Sequence, residues 1–329
     1  MKVAFFSSKP YDKAFFSQAK EASFFDFTFF KVHLDVTTVG LTAGFDAVCV
    51  FVNDDLSAEV LAGLSDNGVR FIALRCAGYN NVDLSVAAQK TLKIVRVPAY
   101  SPHAVAEHAL ALIMALNRKT HRAHNRVHEG NFALDGLLGF DVFGKTVGIV
   151  GTGRIGAVFA NIMKGLGCEL IAYDPYPNSS LDGIVEYVGL DSIWTRAEII
   201  SLHCPLTPES HHLIDDVSIG KMKAGVMLIN TSRGALIDTK ALIKGLKSSK
   251  IGWVGLDVYE EEADLFFEDL SNQIIQDDVF ARLMTFPNVM ITGHQAFFTE
   301  QALESIAETT LQNLLDLKKG LECANEVRN

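Results

Sequence analysis

Short runs of β-branched and aromatic residues alternate along the chain with longer segments in which apolar positions recur at helical spacing. That alternation predicts a parallel α/β fold. In the first hundred residues Val3–Phe6, Phe27–Phe30, Ala47–Phe51, Phe71–Leu74 and Lys93–Val95 read as strands, with a helix over Leu56–Asn67. A second series follows at Thr146–Val150, Glu169–Tyr173, Ile199–Leu202, Val226–Asn230, Val254–Leu256 and Val289–Ile291, again with helices between the strands. The two series meet near Val97-Pro98-Ala99-Tyr100-Ser101-Pro102. There two prolines hold the chain extended, and Pro102 opens a helix for which Ser101 is a candidate N-cap. The spacing predicts one long helix from His103 to His128 and another from Thr299 to Lys319. No repeat or low-complexity tract interrupts the pattern, and Glu260–Phe280 is the one long irregular segment.

At 329 residues the chain has room for two domains, and 49% hydrophobic with 21% charged residues marks a well-buried globular protein. A formal net charge of −10 without a Lys/Arg run argues against nucleic-acid or acidic-membrane partners. Five widely spaced cysteines, Cys49, Cys76, Cys168, Cys204 and Cys323, contain no C-x-x-C pair. They read as free thiols in a reducing compartment. The N-terminus lacks the apolar stretch of a signal peptide, and no apolar run approaches the ~20 residues of a membrane span. A cytoplasmic protein is expected.

Gly151-Thr152-Gly153-Arg154-Ile155-Gly156 forms G-x-G-x-x-G directly after an apolar strand and before a helical stretch. Alone, the triplet could be an ordinary tight turn. In this context Gly151 permits the turn, Gly153 lets backbone N–H groups approach a pyrophosphate, and Gly156 allows close helix–strand packing. The helix N-terminus adds partial positive charge. Asp174 ends the next strand, 18 residues past Gly156. It is either a solvated acid or the acceptor for ribose hydroxyls, and the second reading favours NAD over NADP, whose 2′-phosphate it would repel.

Three downstream segments carry a resemblance. Asn230-Thr231-Ser232-Arg233-Gly234-Ala235-Leu236-Ile237-Asp238, Leu256-Asp257-Val258-Tyr259-Glu260-Glu261-Glu262 and Thr292-Gly293-His294-Gln295-Ala296-Phe297 resemble the signature blocks of the D-2-hydroxyacid dehydrogenase family. With the glycine motif, the resemblance spans essentially the whole chain. It implies two Rossmann-like domains with parallel sheets and an active-site cleft between them. The substrate-binding domain would be discontinuous, residues 1–99 plus 300–329, and the NAD-binding domain residues 100–299. It also implies an Arg–Glu–His constellation on Arg233, Glu262 and His294. Glu260, Glu261 and Glu262 are rival acids by residue type; the family's spacing of five from Asp257 selects Glu262.

The residue types suit reduction of a 2-keto acid. His294 as imidazolium can give the carbonyl oxygen its proton. Glu262 favours the charged ring and sets its tautomer, and Arg233 offers a planar fork to a carboxylate. Cys204, Pro205, Thr231, Ser232 and Asp257 are expected along the cofactor, and Ser210 stands where relatives carry an Asn. In the first half, Ala77-Gly78-Tyr79 matches the family's substrate-carboxylate loop and could form an anion nest. Tyr100 and Phe297 are expected against the same substrate.

The Glu262–Asp269 stretch resembles the branch of the family that interconverts pyruvate and D-lactate. A bulkier 2-keto acid, or an NAD-sensing interaction protein on the same fold, are the alternatives. No metal is expected: His121, His124 and His128 share a helix face but lack a supporting carboxylate set. A homodimer or homotetramer is expected, with the His103–His128 helix as a plausible face.

Overall fold

The computed structural model describes residues 1–262, 265–267 and 269–328. The chain divides into two compact units, Met1–Ser101 with Phe297–Asn329, and Pro102–Ala296.

The first unit opens with β1 (Lys2–Phe5), α1 (Pro10–Gln18), β2 (Asp26–Phe29) and β3 (Ala47–Val50). It continues with α2 (Ala58–Asp66), β4 (Phe71–Leu74), α3 (Leu84–Gln89) and β5 (Lys93–Arg96). The second unit starts with α4 (Pro102–Arg118), α5 (Thr120–His128), β6 (Thr146–Val150), α6 (Arg154–Gly165), β7 (Glu169–Tyr173) and β8 (Glu186–Tyr187). Then come α7 (Leu190–Arg196), β9 (Ile199–Leu202), α8 (Asp216–Lys221), β10 (Val226–Asn230) and α9 (Thr239–Lys247). β11 (Ile251–Leu256), α10 (Asp278–Met284) and β12 (Val289–Ile291) complete it, and α11 (Glu300–Lys318) and β13 (Glu326–Val327) return to the first unit.

Each unit is built on one sheet. The first has strand order β13-β5-β4-β3-β1-β2, parallel except for the antiparallel edge strand β13. The second has order β12-β11-β10-β9-β6-β7-β8, parallel throughout. In both the order reverses once, between β1 and β3 and between β6 and β9. Such a reversal opens a crevice at the carboxyl ends of the strands. The central strands are buried on both faces, which is why they read as continuous apolar runs. Around the second sheet, Trp194 joins Ile200, Leu228 and Leu246 on one side, while Trp253 lies against the opposite cluster of Leu112, Ile149 and Phe159.

The single long helix expected over His103–His128 is two helices. Lys119 between them has φ +48°, in the left-handed region. The buried Asn117 explains the break. Its side chain donates to Phe140 O at 2.7 Å and accepts from Phe140 N–H at 2.8 Å, so the returning segment takes the place a continuing helix would occupy. α4 packs on α6 and β11, with apolar residues down one side, whereas α5 has no buried residue. The edge strands β8 and β13, two residues each, were not expected from the pattern. The Glu260–Phe280 segment is less irregular than its sequence: Tyr259, Phe266 and Phe280 form a small buried cluster, and Asp277 caps α10. Ala263, Asp264 and Glu268 of the lactate-branch stretch lie outside the described residues.

Candidate active site

The glycine motif sits at the strand-order reversal of the second unit. Gly151 follows β6 with φ +95°, and a Cβ there would lie 2.6 Å from the backbone nitrogen of Cys204, just beyond β9. Only glycine lets the two strand ends approach this closely. A Cβ on Gly156 would fall 2.0 Å from the carbonyl oxygen of Gly151, so the first turn of α6 is seated directly on the loop. Gly153 is different: it is exposed and a Cβ would meet nothing within 4 Å. It is also the N-cap of α6, where the first N–H groups have no partner within the helix. The exposed Arg154 follows it. Open space, unpaired helix donors and one cation are what a pyrophosphate requires.

Asp174 stands at the end of β7 against this loop. Its Oδ2 accepts from Thr152 N–H at 2.6 Å and from Thr152 Oγ1 at 3.2 Å, and its Oδ1 from Tyr176 N–H at 2.8 Å. A carboxylate can accept about four bonds, so room for a ribose hydroxyl remains. Beneath the loop, His203 is half-buried as a residue, but its Nδ1 is buried without a partner. Its Nε2 lies 2.9 Å from Ser201 Oγ and its ring 4.8 Å from Phe159. Burial pushes its pKa down to about 3, so it stands as a neutral spacer. Burial likewise pushes the Cys204 thiol up to about 11, which keeps it an inert wall. Ser210 is engaged within its own turn, donating to Pro205 O at 2.7 Å and accepting from Thr207 N–H at 2.8 Å.

The Arg–Glu–His residues come from three loops that the backbone holds in register. Arg233 follows β10. Asn230 clamps that turn, donating to Arg233 O at 2.8 Å and accepting from Ser232 N–H at 3.0 Å, while Ser232 Oγ donates to Cys204 O at 2.6 Å. A Cβ on Gly234 would lie 2.0 Å from the carbonyl carbon and oxygen of Tyr259, so the Arg233 loop rests on the loop that carries Glu262. Thr231 keeps its hydroxyl buried with no protein partner.

Glu262 accepts from Tyr259 N–H at 2.9 Å through Oε2 and holds His294 Nδ1 at 2.8 Å through Oε1. A carboxylate only accepts, so Nδ1 carries the proton in this pair and Nε2 is left for other chemistry. His294 has φ +52°, unusual for a residue with a side chain. Asp257 imposes it. The Asp257 carboxylate is fully buried and accepts from Thr292 Oγ1 at 2.5 Å, Gln295 N–H at 2.9 Å and Ala296 N–H at 2.8 Å. His108 of α4 closes the group, 3.4 Å from Asp257 Oδ1 and 3.0 Å from Thr292 Oγ1. Asp257, expected along the cofactor, is thus tied into the loop that presents His294. The role of His108 escaped the sequence reading, because its partner Thr292 lies 184 residues away. Asn230 stands in the first signature block, but its clamp on the Ser232 and Arg233 backbone is visible only in the fold. Phe267, whose ring lies 5.7 Å from that of His294, was also missed.

In the first unit, the Ala77–Tyr79 loop leaves the end of β4. Arg96 donates to Ala77 O at 2.7 Å and its guanidinium lies over the Tyr79 ring at 5.1 Å. In a trans peptide C=O and N–H point oppositely, so this bond turns the Gly78 N–H away from Arg96. Tyr100 and Phe297 meet edge to face at 6.2 Å, and Phe51 lies 6.1 Å from Phe297.

Residues 110–296 match the family model described as D-isomer specific 2-hydroxyacid dehydrogenase, NAD binding domain. A D-lactate dehydrogenase of Escherichia coli K12 is 54% identical over 99% of this chain and all of its own length. The chain belongs to the D-isomer-specific 2-hydroxyacid dehydrogenase family. Solved structures agree: the apo form of D-lactate dehydrogenase from Escherichia coli has TM-score 0.91 and 51% identity, covering 99% of this chain and all of that one. A pyruvate reductase of Chlamydomonas reinhardtii has TM-score 0.93 and 44% identity, over 99% of this chain and 98% of that one. Like the family, this dehydrogenase uses NAD, and the glycine loop with Asp174 fits it. No helix among the described residues is long and apolar enough to cross a membrane.

Proposed function

We propose that this dehydrogenase reduces pyruvate to D-lactate, with His294, Glu262 and Arg233 as its catalytic residues. The observation that carries the chemistry is the 2.8 Å bond between Glu262 Oε1 and His294 Nδ1. It leaves Nε2 as the nitrogen offered to the substrate, so His294 Nε2 can donate to the carbonyl oxygen as that oxygen gains negative charge. When bound, the reduced nicotinamide supplies the hydride that the keto carbon accepts. Arg233 binds the carboxylate and polarises the carbonyl; its Nη1 donates to Ser232 O at 2.7 Å, which orients the fork. In the reverse direction His294, deprotonated at Nε2, takes the hydroxyl proton of D-lactate.

Cofactor contacts are assigned to Gly151, Gly153, Arg154, Ile155, Gly156, Asp174, Cys204, Pro205, Thr231 and Ser232. Ser210 and Asp257 act by holding loops, since their side chains are engaged there. The first unit is assigned the substrate-binding role through Ala77, Gly78, Tyr79, Tyr100 and Phe297, and the second NAD binding. Pyruvate is favoured over larger keto acids by the sequence likeness to D-lactate dehydrogenases over the whole chain.

The test is NADH oxidation with pyruvate, 2-ketobutyrate, phenylpyruvate, hydroxypyruvate and glyoxylate side by side, with chiral analysis of the product. Pyruvate should be fastest and give D-lactate. A preference for phenylpyruvate or hydroxypyruvate would move the substrate and keep the chemistry. NADH binding without turnover on any of them would overturn the enzyme reading. The same reading places the enzyme in the cytoplasm as a homodimer or homotetramer. Phe132, Leu134, Leu138 and Phe143, each more than 70% exposed, support self-association. Light scattering on the purified protein checks it.

A further inference from the structure

Among the described residues outside the His294–Glu262 pair, one group of ligand atoms converges. One nitrogen each of His211 and His212 and one carboxylate oxygen of Glu260 lie within 4.8 Å of one another. Adjacent residues usually point apart, and here the backbone prevents it. His212 has φ +51°, which swings its ring parallel to that of His211, with centroids 3.9 Å apart and planes at 29°. Both backbones are anchored: His211 N–H donates to Thr207 O at 2.9 Å and His212 N–H to Ala235 O at 2.8 Å. His212 Nε2 meets Glu260 Oε1 at 2.5 Å. The other oxygen, Oε2, accepts from Thr239 Oγ1 at 3.0 Å, a bond that orients the carboxylate as outer partners of metal ligands do.

We propose that His211, His212 and Glu260 bind one divalent transition-metal cation, with Zn²⁺ the best match. Two imidazoles and one carboxylate, with water in a fourth position, is a common zinc ligand set. Zinc bonds of about 2.0–2.2 Å in a tetrahedron put ligand atoms roughly 3.3–3.5 Å apart. The group reaches that by opening the His212–Glu260 contact and rotating the exposed His211 inward. The site departs from the metal-free expectation of the sequence, because Glu260 lies 48 residues from His212. It also has a mechanical consequence. Glu260 N sits 2.4 Å from the Cβ position of Gly234, beside the Arg233 turn and two residues before Glu262. A bound cation therefore clips the His211–His212 turn to the loop that positions both.

The experiment is a Co²⁺ titration of the chelator-treated full-length protein, followed by its visible absorption and by displacement with Zn²⁺. No keto acid or NADH is present, so the result stands apart from the dehydrogenase reading. One Co²⁺ per chain with a four-coordinate spectrum is expected. His211→Ala and Glu260→Gln should each weaken binding by more than about tenfold, and Thr239→Val by about tenfold. Zn²⁺ should raise the Tm of the wild type and leave that of His211→Ala unmoved. His211 is exposed, so its variant folds. No Co²⁺ binding, equal affinity in the wild type and the variants, or a sulfur-to-cobalt charge-transfer band would each overturn the proposal.

Discussion

The two units are variations on one architecture, and they treat its crevice in opposite ways. In the second unit the strand-order reversal is lined by glycine. Gly151 and Gly156 bring backbone against backbone, and Gly153 faces open space. In the first unit the corresponding position is filled by side chains. Ser7, just past β1 with φ +50°, donates to the buried Asp54 beyond β3 at 2.7 Å, and Asp54 also accepts from Leu34 and Phe51 N–H. Nearby Arg75 is buried in an ion pair with Asp12 at 3.3 Å, between the rings of Phe5 and Phe51. Burial beside these charges pushes the Cys49 thiol up to about 12. A crevice becomes a cofactor site when its strand ends carry no side chains to fill it. The same crevice becomes a rigid support when buried side chains pair inside it, as Ser7 does with Asp54 and Arg75 with Asp12.

The comparison breaks first at His294. His294→Ala should lower pyruvate reduction by about 10²–10⁴-fold while NADH affinity, measured by calorimetry, stays within about twofold. Equal loss of both would mean that His294 supports the loop and carries no proton. Next in size is the filled crevice. Asp12→Ala leaves Arg75 buried and unpaired, and should destabilise the first unit by about 3–5 kcal/mol in urea unfolding. NADH affinity should survive at urea concentrations where the protein is still folded. The glycines sharpen the contrast within the second unit. Gly156→Ala must move the Gly151 carbonyl and should cost about 1–3 kcal/mol of stability. Gly153→Ala should weaken NADH binding with Tm unchanged, since its methyl enters open space. A pH slope gives the last test. His203 is neutral in the folded state down to about pH 3, whereas the unfolded residue protonates near 6.5. Below 6.5 the unfolded state binds the extra proton, so stability falls as pH drops through that window, by at most about 1.4 kcal/mol per pH unit. His203→Gln should flatten the slope of Tm against pH between about 6 and 4; an unchanged slope would mean that the ring is hydrated.

These differences bear on what could be read from the residues alone. The glycine loop was legible because each glycine answers a backbone requirement that leaves a mark in the sequence. The central strands were legible because burial on both faces demands unbroken apolar runs. Two-residue edge strands such as Glu186–Tyr187 leave too short a pattern. The break at Lys119 was hidden because its cause, the Asn117–Phe140 pairing, spans 23 residues. The Asp257 clamp was half visible: the residue stood out, but its partners in the Thr292–Ala296 loop come together only in the fold. Convergence of His212 on Glu260 and of Arg75 on Asp12 depends wholly on topology, for which spacing carries no signal.

The chain's two tryptophans, Trp194 and Trp253, both belong to the second unit. Selective excitation of indole therefore watches that unit alone, while the seven tyrosines and far-ultraviolet dichroism report on the whole chain. Wild-type protein thus carries a built-in optical label on one unit. If the indole and dichroism transitions in urea coincide, the two units unfold as one cooperative block. If the indole signal changes separately, each crevice can be assigned its own stability without introducing a single probe.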